Sequence, residues 1–211
     1  MTMWQSLLDL MEKLGVVLVA GFLILRSPFF RQVAERRFTI VNQFALILFF
    51  GLVSIYGTLS GVPVLGAIAN IRDLAPMFAG LTCGPIVGVG AGLIGAIHRF
   101  TLDGLTGIAC PLATLLAGLL SGLIYLANRR RFVGWGGAVI FAALMEGLHM
   151  ALILLIARPT DQAMALVGQI ALPMIVANCV GMALLSWLLA DYRREQKMTE
   201  ELGHLRIERA K

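Results

Sequence analysis

Charge is what this sequence lacks most. Only 14% of its 211 residues are Asp, Glu, Lys or Arg, while 59% are hydrophobic. A soluble domain of this size needs far more charge on its surface, so the composition excludes one. A mean hydropathy of +0.87 belongs to a chain that crosses a bilayer several times. Cysteine is also scarce. Cys83, Cys110 and Cys179 are well separated within apolar runs, which argues against a disulfide framework or a zinc site. Asp9 and Glu12 stand where a cleavable signal peptide would carry its basic region, so none is expected. Enzyme equipment is missing too: there is no Ser/His/Asp set, phosphate-binding loop or metal-ligand spacing. No catalysis, cofactor or metal is therefore assigned to this chain. The net charge of +5 comes in short clusters between apolar runs, the pattern of loops retained on one membrane face and not of a nucleic-acid surface.

What is present is a series of apolar runs at 7–25, 40–60, 62–100, 106–127, 133–157 and 166–190. A span needs about 20 residues, so the glycine-rich stretch 62–100 holds either one crossing or two. Loop charge discriminates. Residues 26–37 carry net +3, residues 129–131 net +3, and the tail 193–211 net +2. The positive-inside rule places these three clusters on one face. Two crossings within 62–100 achieve that and one does not. A turn is therefore expected at Gly84-Pro85, where proline removes an amide donor and disfavours helix in the residue before it. The competing arrangement has six spans, with Pro85 as a tolerated kink. The expected fold is all-α: a polytopic membrane helix bundle of six to seven segments (7–25, 40–60, 62–83, 85–100, 106–127, 133–157 and 166–190), with a glycine-rich helical hairpin turning at Gly84-Pro85. The N-terminus lies outside and the C-terminus in the cytoplasm. The first segment is the least certain span because it contains Asp9, Glu12 and Lys13.

Two arginines, Arg72 and Arg99, stand within the glycine-rich stretch. An ionisable residue at membrane depth costs about 2.5–3.5 kcal/mol on insertion scales and marks a functional site by default. A turn at Gly84-Pro85 puts both roughly 18–21 Å from it, at one depth in the outer half of the bilayer. A guanidinium stays charged there and must meet a carboxylate, backbone carbonyls or an anionic ligand. Paired forks suit a small carboxylate. The alternative pairs Arg72 with Asp73 and Arg99 with Asp103, each snorkelling to the interface.

Other polar residues occupy apolar runs. Glu146 and His149 share a helix face one turn apart; Glu146 reads slightly better as structural, and His149 as either pocket-lining or interfacial. His98 reads better as interfacial than as a ligand contact. Cys110 sits near the outer end of its span, with Thr106 and Thr114 able to supply hydroxyls. Asn178 reads as interhelical glue. Gly80, Gly84, Gly88, Gly92 and Gly95, and later Gly118 and Gly122, follow the small-xxx-small spacing that lets helices approach closely, better explained by packing within the chain than by a dimer face. Beyond residue 190 the sequence turns polar and helix-forming. Met198, Leu202 and Leu205 follow the spacing that opens a parallel coiled coil, as expected of a connector (191–211) leading from a sensor domain (1–190) to a further domain.

Several runs carry a family resemblance: Ala69-Asn70-Ile71-Arg72, Ala79-Gly80-Leu81-Thr82-Cys83-Gly84-Pro85-Ile86-Val87-Gly88, Gly92-Leu93-Ile94-Gly95-Ala96-Ile97-His98-Arg99-Phe100, Gly104-Leu105-Thr106 and Cys110. In this order they resemble the transmembrane receptor region of the LytS/YhcK type, over about residues 35–190. The spans are also distantly similar to the substrate-binding S components of vitamin transporters. The resemblance implies a membrane sensor module of a two-component histidine kinase, in the bacterial cytoplasmic membrane, with a small extracellular carboxylate as ligand. Pyruvate-sensing kinases belong to this family. Their recognition region resembles Arg72, Arg99 and Cys110 here, with Ala113 and Thr114 where a small hydroxyl is otherwise offered. Taken with the reading of the residues above, the candidate ligand-binding set is Arg72, Arg99, Cys110, Thr106, Thr114, His98, His149 and Glu146, of which the resemblance implies Arg72, Arg99 and Cys110. The partners implied are the ligand, the lipid bilayer, a second copy in a homodimer, and a cytoplasmic kinase domain with its response regulator. The alternatives are an S-component-like transporter subunit and the input module of a diguanylate cyclase.

Overall fold

The computed structural model describes residues 3–34 and 39–209, and side chains throughout these except at 34, 203–207 and 209. The charges expected at Glu35, Arg36 and Arg37, and the Leu205 side chain, lie outside the described residues. The chain forms α1 (Met3–Leu25), α2 (Pro28–Ala34), α3 (Ile40–Leu59), β1 (Val62–Val64), β2 (Ala67–Ala69), α4 (Leu74–Cys83), α5 (Pro85–Phe100), α6 (Ala109–Ala127), α7 (Gly134–Ile156) and α8 (Thr160–Arg209). The all-helical expectation therefore holds apart from one small antiparallel ribbon. Among the described residues, four helices (α3, α6, α7 and the part of α8 up to Leu202) are long and apolar enough to cross a membrane.

The expected helical segment 62–83 is corrected: it is helical only over Leu74–Cys83. Pro63 cannot continue a helix interior, and Val62 and Val64 pair with Ala69 and Ala67 around a two-residue turn. That turn has positive φ at Leu65 and Gly66, the geometry that matches the twist of a tight hairpin. At ten residues α4 is about 15 Å long, half a bilayer. All ten of its residues are buried, so it is the helix around which the bundle is built.

The remaining helices pack as two rows flanking α4. On one side α3 packs on α5 and α5 on α6; on the other α1 packs on α8 and α8 on α7, and α6 meets α7. α4, α5 and α6 approach closely because their contacts include glycine on glycine. A Cβ on Gly88 would lie 2.7 Å from the Gly80 Cα, and one on Gly118 would strike the Gly88 carbonyl. The small-residue spacing is thus used inside the chain, where it lets α4, α5 and α6 approach backbone to backbone. Between α4 and α5 stands Gly84, with φ of 92°, a value that favours glycine. Pro85 follows at the first helical position, where its missing N–H costs nothing. Gly84 N–H closes α4 on the Gly80 carbonyl at 3.0 Å.

α1 buries a stripe of Ser6, Leu10, Leu14, Val17, Gly21 and Ile24, one apolar face at helical spacing, against α8. Arg26 then grips the tail, donating from Nη2 to both Glu195 carboxylate oxygens at 2.8 Å. The basic residues gather at this end: Arg130, Arg131 and Arg193 line one depression with Phe30 and Tyr192. The Gly84-Pro85 junction borders a second depression beside Tyr125 and Arg130.

Candidate functional site

The far ends of α4, α5, α6 and α7 enclose a cluster of charged and polar side chains. Arg72 and Asp73 end the segment after β2, with Asp73 at the N-terminus of α4. Arg99 occupies the last turn of α5. Thr106, Cys110 and Thr114 come at four-residue intervals, one face of α6 and the turn that leads into it. Glu146 and His149 project from α7. None is more than 3% exposed.

Arg72 Nε donates to Thr114 Oγ1 at 2.6 Å and to Asp73 Oδ1 at 3.3 Å, and its Nη2 reaches the Cys110 carbonyl at 3.5 Å. Thr114 Oγ1 in turn donates to Asp73 Oδ1 at 2.6 Å, so one hydroxyl joins cation and anion. Arg99 donates from Nη2 to Thr106 Oγ1 at 2.8 Å and from Nη1 to the Asp103 carbonyl at 2.9 Å. It has no carboxylate partner among the described residues. The ion-pair alternative thus applies to Arg72 with Asp73, while Asp103 offers Arg99 only its backbone. Both guanidinium groups converge on the start of α6, from either side of Cys110. Arg72 Nη1 and Arg99 Nε are buried with no hydrogen-bond partner.

His149 joins the two halves of the cluster. Its Nε2 lies 3.2 Å from Cys110 Sγ. Its Nδ1 lies 3.1 Å from Asp73 Oδ2 and 3.5 Å from Glu146 Oε2. Neither Nδ1 contact is a well-aligned hydrogen bond, so Nδ1 is shared between two carboxylates. Asp73, Glu146 and His149 have ligand atoms within 4.8 Å of one another, a spacing that suits a metal ion. Arg72, at 3.3 Å from Asp73, already supplies the positive charge a cation would bring. The formal charges of the two arginines and two acids cancel, and one nitrogen of each guanidinium remains without a partner.

The fold leaves His98 out: it is half-buried, and none of the cluster's hydrogen bonds or ion pairs involves it. In the sequence Asp73 reads only as a counter-ion and Asn70 only as part of a family run, with no role in the site. Asn70 Oδ1 accepts from the Arg72 backbone N–H at 3.1 Å, and its own carbonyl accepts from Asn178 Nδ2 of α8 at 3.4 Å. The legible signal for Asn70 is a polar side chain two residues before Arg72 in an apolar setting. A depression of about 400 Å³ lies over the Arg99 side, lined by Phe100, Asp103, Leu105, Ile108, Ile156 and Arg158.

A helix bundle of this kind, apolar outside and closed over a buried cluster of charged side chains, fits the architecture of a membrane receptor region. The comparisons agree. The family described as 5TMR of 5TMR-LYT matches residues 27–192, and the chain belongs to it: this is a LytS-type receptor region. It is 36% identical over 197 residues to the sensor histidine kinase BtsS of Escherichia coli (strain K12), an overlap of 90% of this chain and 35% of the relative. It is 33% identical over 214 residues to the sensor protein LytS of Bacillus subtilis (strain 168), covering 92% of this chain and 36% of that protein. The sensor histidine kinase YpdA of Escherichia coli (strain K12) is 32% identical over 186 residues, 86% of this chain and 33% of its own length. The chain thus spans about a third of the length of these relatives. No solved structure matches it.

Proposed function

We propose that this chain is the ligand-sensing module of a membrane sensor histidine kinase, and that its ligand is a small extracellular carboxylate of the pyruvate type. The observation that carries this reading is the pair of buried guanidinium nitrogens without partners, Arg72 Nη1 and Arg99 Nε. A buried charged donor left unsatisfied costs more than an ordinary lost hydrogen bond, and a planar carboxylate answers two such donors at once. Thr106, Cys110 and Thr114 border the remainder of the ligand, with Glu146 and His149 behind them.

In this reading α4 and α5 form a helical hairpin that enters from the outer face and turns at Gly84-Pro85 near the inner one. The basic end of the bundle is cytoplasmic, as the positive-inside rule requires. α8 leaves the membrane there as the connector. The hydrogen bond from Asn178 to the Asn70 carbonyl ties α8 to the segment that holds Arg72, so a ligand that moves Arg72 acts on the helix leading to the output domain. Met198 and Leu202, exposed on that helix, begin the seam of a homodimer. The kinase domain and its response regulator belong to the longer protein that the relatives' length implies.

The experiment is calorimetric titration of the purified chain with pyruvate, together with Arg72→Ala and Arg99→Ala. Each variant loses about 1.5–3 kcal/mol of charged hydrogen bonding, roughly 10- to 150-fold in affinity. Unchanged affinity in both variants refutes the carboxylate site.

A further inference from the structure

Cys110, His149 and Asp73 form a connected series: thiol to Nε2 at 3.2 Å, Nδ1 to carboxylate at 3.1 Å. That is the pattern of an activated nucleophile, a base within hydrogen-bond reach and a third group orienting the base. The tautomer follows from the surroundings. Two carboxylates face Nδ1, and ionised carboxylates only accept, so Nδ1 carries the proton. Nε2 is then an acceptor, and the Cys110 S–H donates to it. The other cysteines lack this setting. Cys83 contacts Thr82 at the opposite end of the bundle, and Cys179 donates to the Val139 carbonyl.

We propose that this receptor holds an α-keto acid by reversible covalent addition of the Cys110 thiol to the keto carbon, with His149 carrying the proton. The inference rests on the carboxylate-receptor reading above. The Cys110 proton moves to His149 Nε2 as a sulfur electron pair forms the S–C bond. The carbonyl π pair moves onto oxygen, which takes the proton back from Nε2. The product is a thiohemiketal. One S–H and one C=O π bond are exchanged for one S–C and one O–H bond, and nothing is oxidised or reduced. Expulsion of the thiolate reverses the step and releases the ligand unchanged, as a receptor requires.

The surroundings suit the addition. The guanidinium groups of Arg72 and Arg99 flank Cys110, and each has one free buried nitrogen. One can hold the ligand carboxylate while the other faces the oxygen on which charge develops, a preorganised donor where a developing oxyanion needs it. Asp73 and Glu146 keep the imidazole oriented while its proton is exchanged. Such a site selects by chemistry as well as shape: an α-hydroxy acid of nearly the same size has no electrophilic carbon.

The test is carbon-13 NMR of the purified chain with pyruvate labelled at the keto carbon, alongside calorimetric binding of pyruvate and lactate. The expected result is a bound keto carbon at a tetrahedral shift. The signal disappears in Cys110→Ser, which keeps the size of the side chain, and is strongly weakened in His149→Gln. Both variants retain weak pyruvate binding through the arginines, close to wild-type binding of lactate. Bound pyruvate whose keto carbon stays trigonal overturns the addition and leaves the carboxylate site standing. Absence of any pyruvate binding, in wild-type protein with an unchanged melting temperature, overturns both.

Discussion

Gly57 offers a way to disturb the site without touching any side chain in it. It lies in α3, where the Arg72 backbone crosses. A Cβ at Gly57 would sit 2.7 Å from the Arg72 Cα and 2.8 Å from its backbone nitrogen. Non-bonded carbon contacts are optimal at about 3.5–4.0 Å, so Gly57→Ala displaces the Arg72 backbone, or α3, by about 1 Å. Neither neighbour is a flexible side-chain end that can step aside. The Arg72 Nε to Thr114 Oγ1 bond, now 2.6 Å, then stretches to about 3.6 Å, beyond hydrogen-bond range. The Arg72 N–H bond to Asn70, at 3.1 Å, is disturbed with it. Loss of one hydrogen bond to a charged group is worth about 1.5–3 kcal/mol, or roughly 10- to 150-fold in affinity. Calorimetric titration with pyruvate reads this, with melting temperature as the check on folding. Gly15→Ala and Gly147→Ala are the controls, since nothing lies within 4 Å of a Cβ at either position. They leave affinity unchanged and raise helix stability by about 0.5–1 kcal/mol. A folded Gly57→Ala protein with wild-type affinity would show that α3 does not position Arg72, and the argument for a preorganised guanidinium would fall.

Two further outcomes follow from the packing. Gly88→Ala pushes a methyl into the Gly80 backbone and the Gly118 carbonyl, and overpacking of this kind costs about 1–3 kcal/mol; thermal unfolding in detergent reads the loss, and an unchanged midpoint contradicts the glycine-on-glycine contact. Glu195→Ala removes the carboxylate gripped by Arg26, but both side chains are solvent-accessible and such pairs contribute about 0–1 kcal/mol; the melting temperature therefore shifts little, and a large drop would mean that the α1–α8 junction depends on that pair.

The candidate site is partly legible in sequence because its members break local rules. Arg72, Arg99, Glu146 and His149 are ionisable residues in apolar runs, and that cost is visible without coordinates. Thr106, Cys110 and Thr114 share one helical face at four-residue spacing, and Glu146 and His149 share another. The segment 62–83 was misread as one helical run because its apolar composition hides a change of period: Val62-Pro63-Val64 and Ala67-Ile68-Ala69 form strands, and helix begins only at Leu74. Short apolar runs do not distinguish strand from helix by periodicity. His98 reads better as interfacial even beside Arg99, because adjacent residues on a helix face different ways; the fold buries the arginine fully and His98 only in part.

The sequence by itself determined that this is a membrane protein, where its apolar runs lie, and which residues are too costly there to be incidental. Those properties depend on composition and local spacing. Only the tertiary structure decided which costly residues meet. Arg72 and His149 are 77 positions apart, yet both touch Asp73, because glycine contacts draw α4, α5 and α6 together and α7 closes over them. Cys110 acquires a histidine, and that histidine the Asp73 carboxylate, through contacts between helices, which no spacing within a single helix specifies; the Glu146 carboxylate alone follows from spacing along α7.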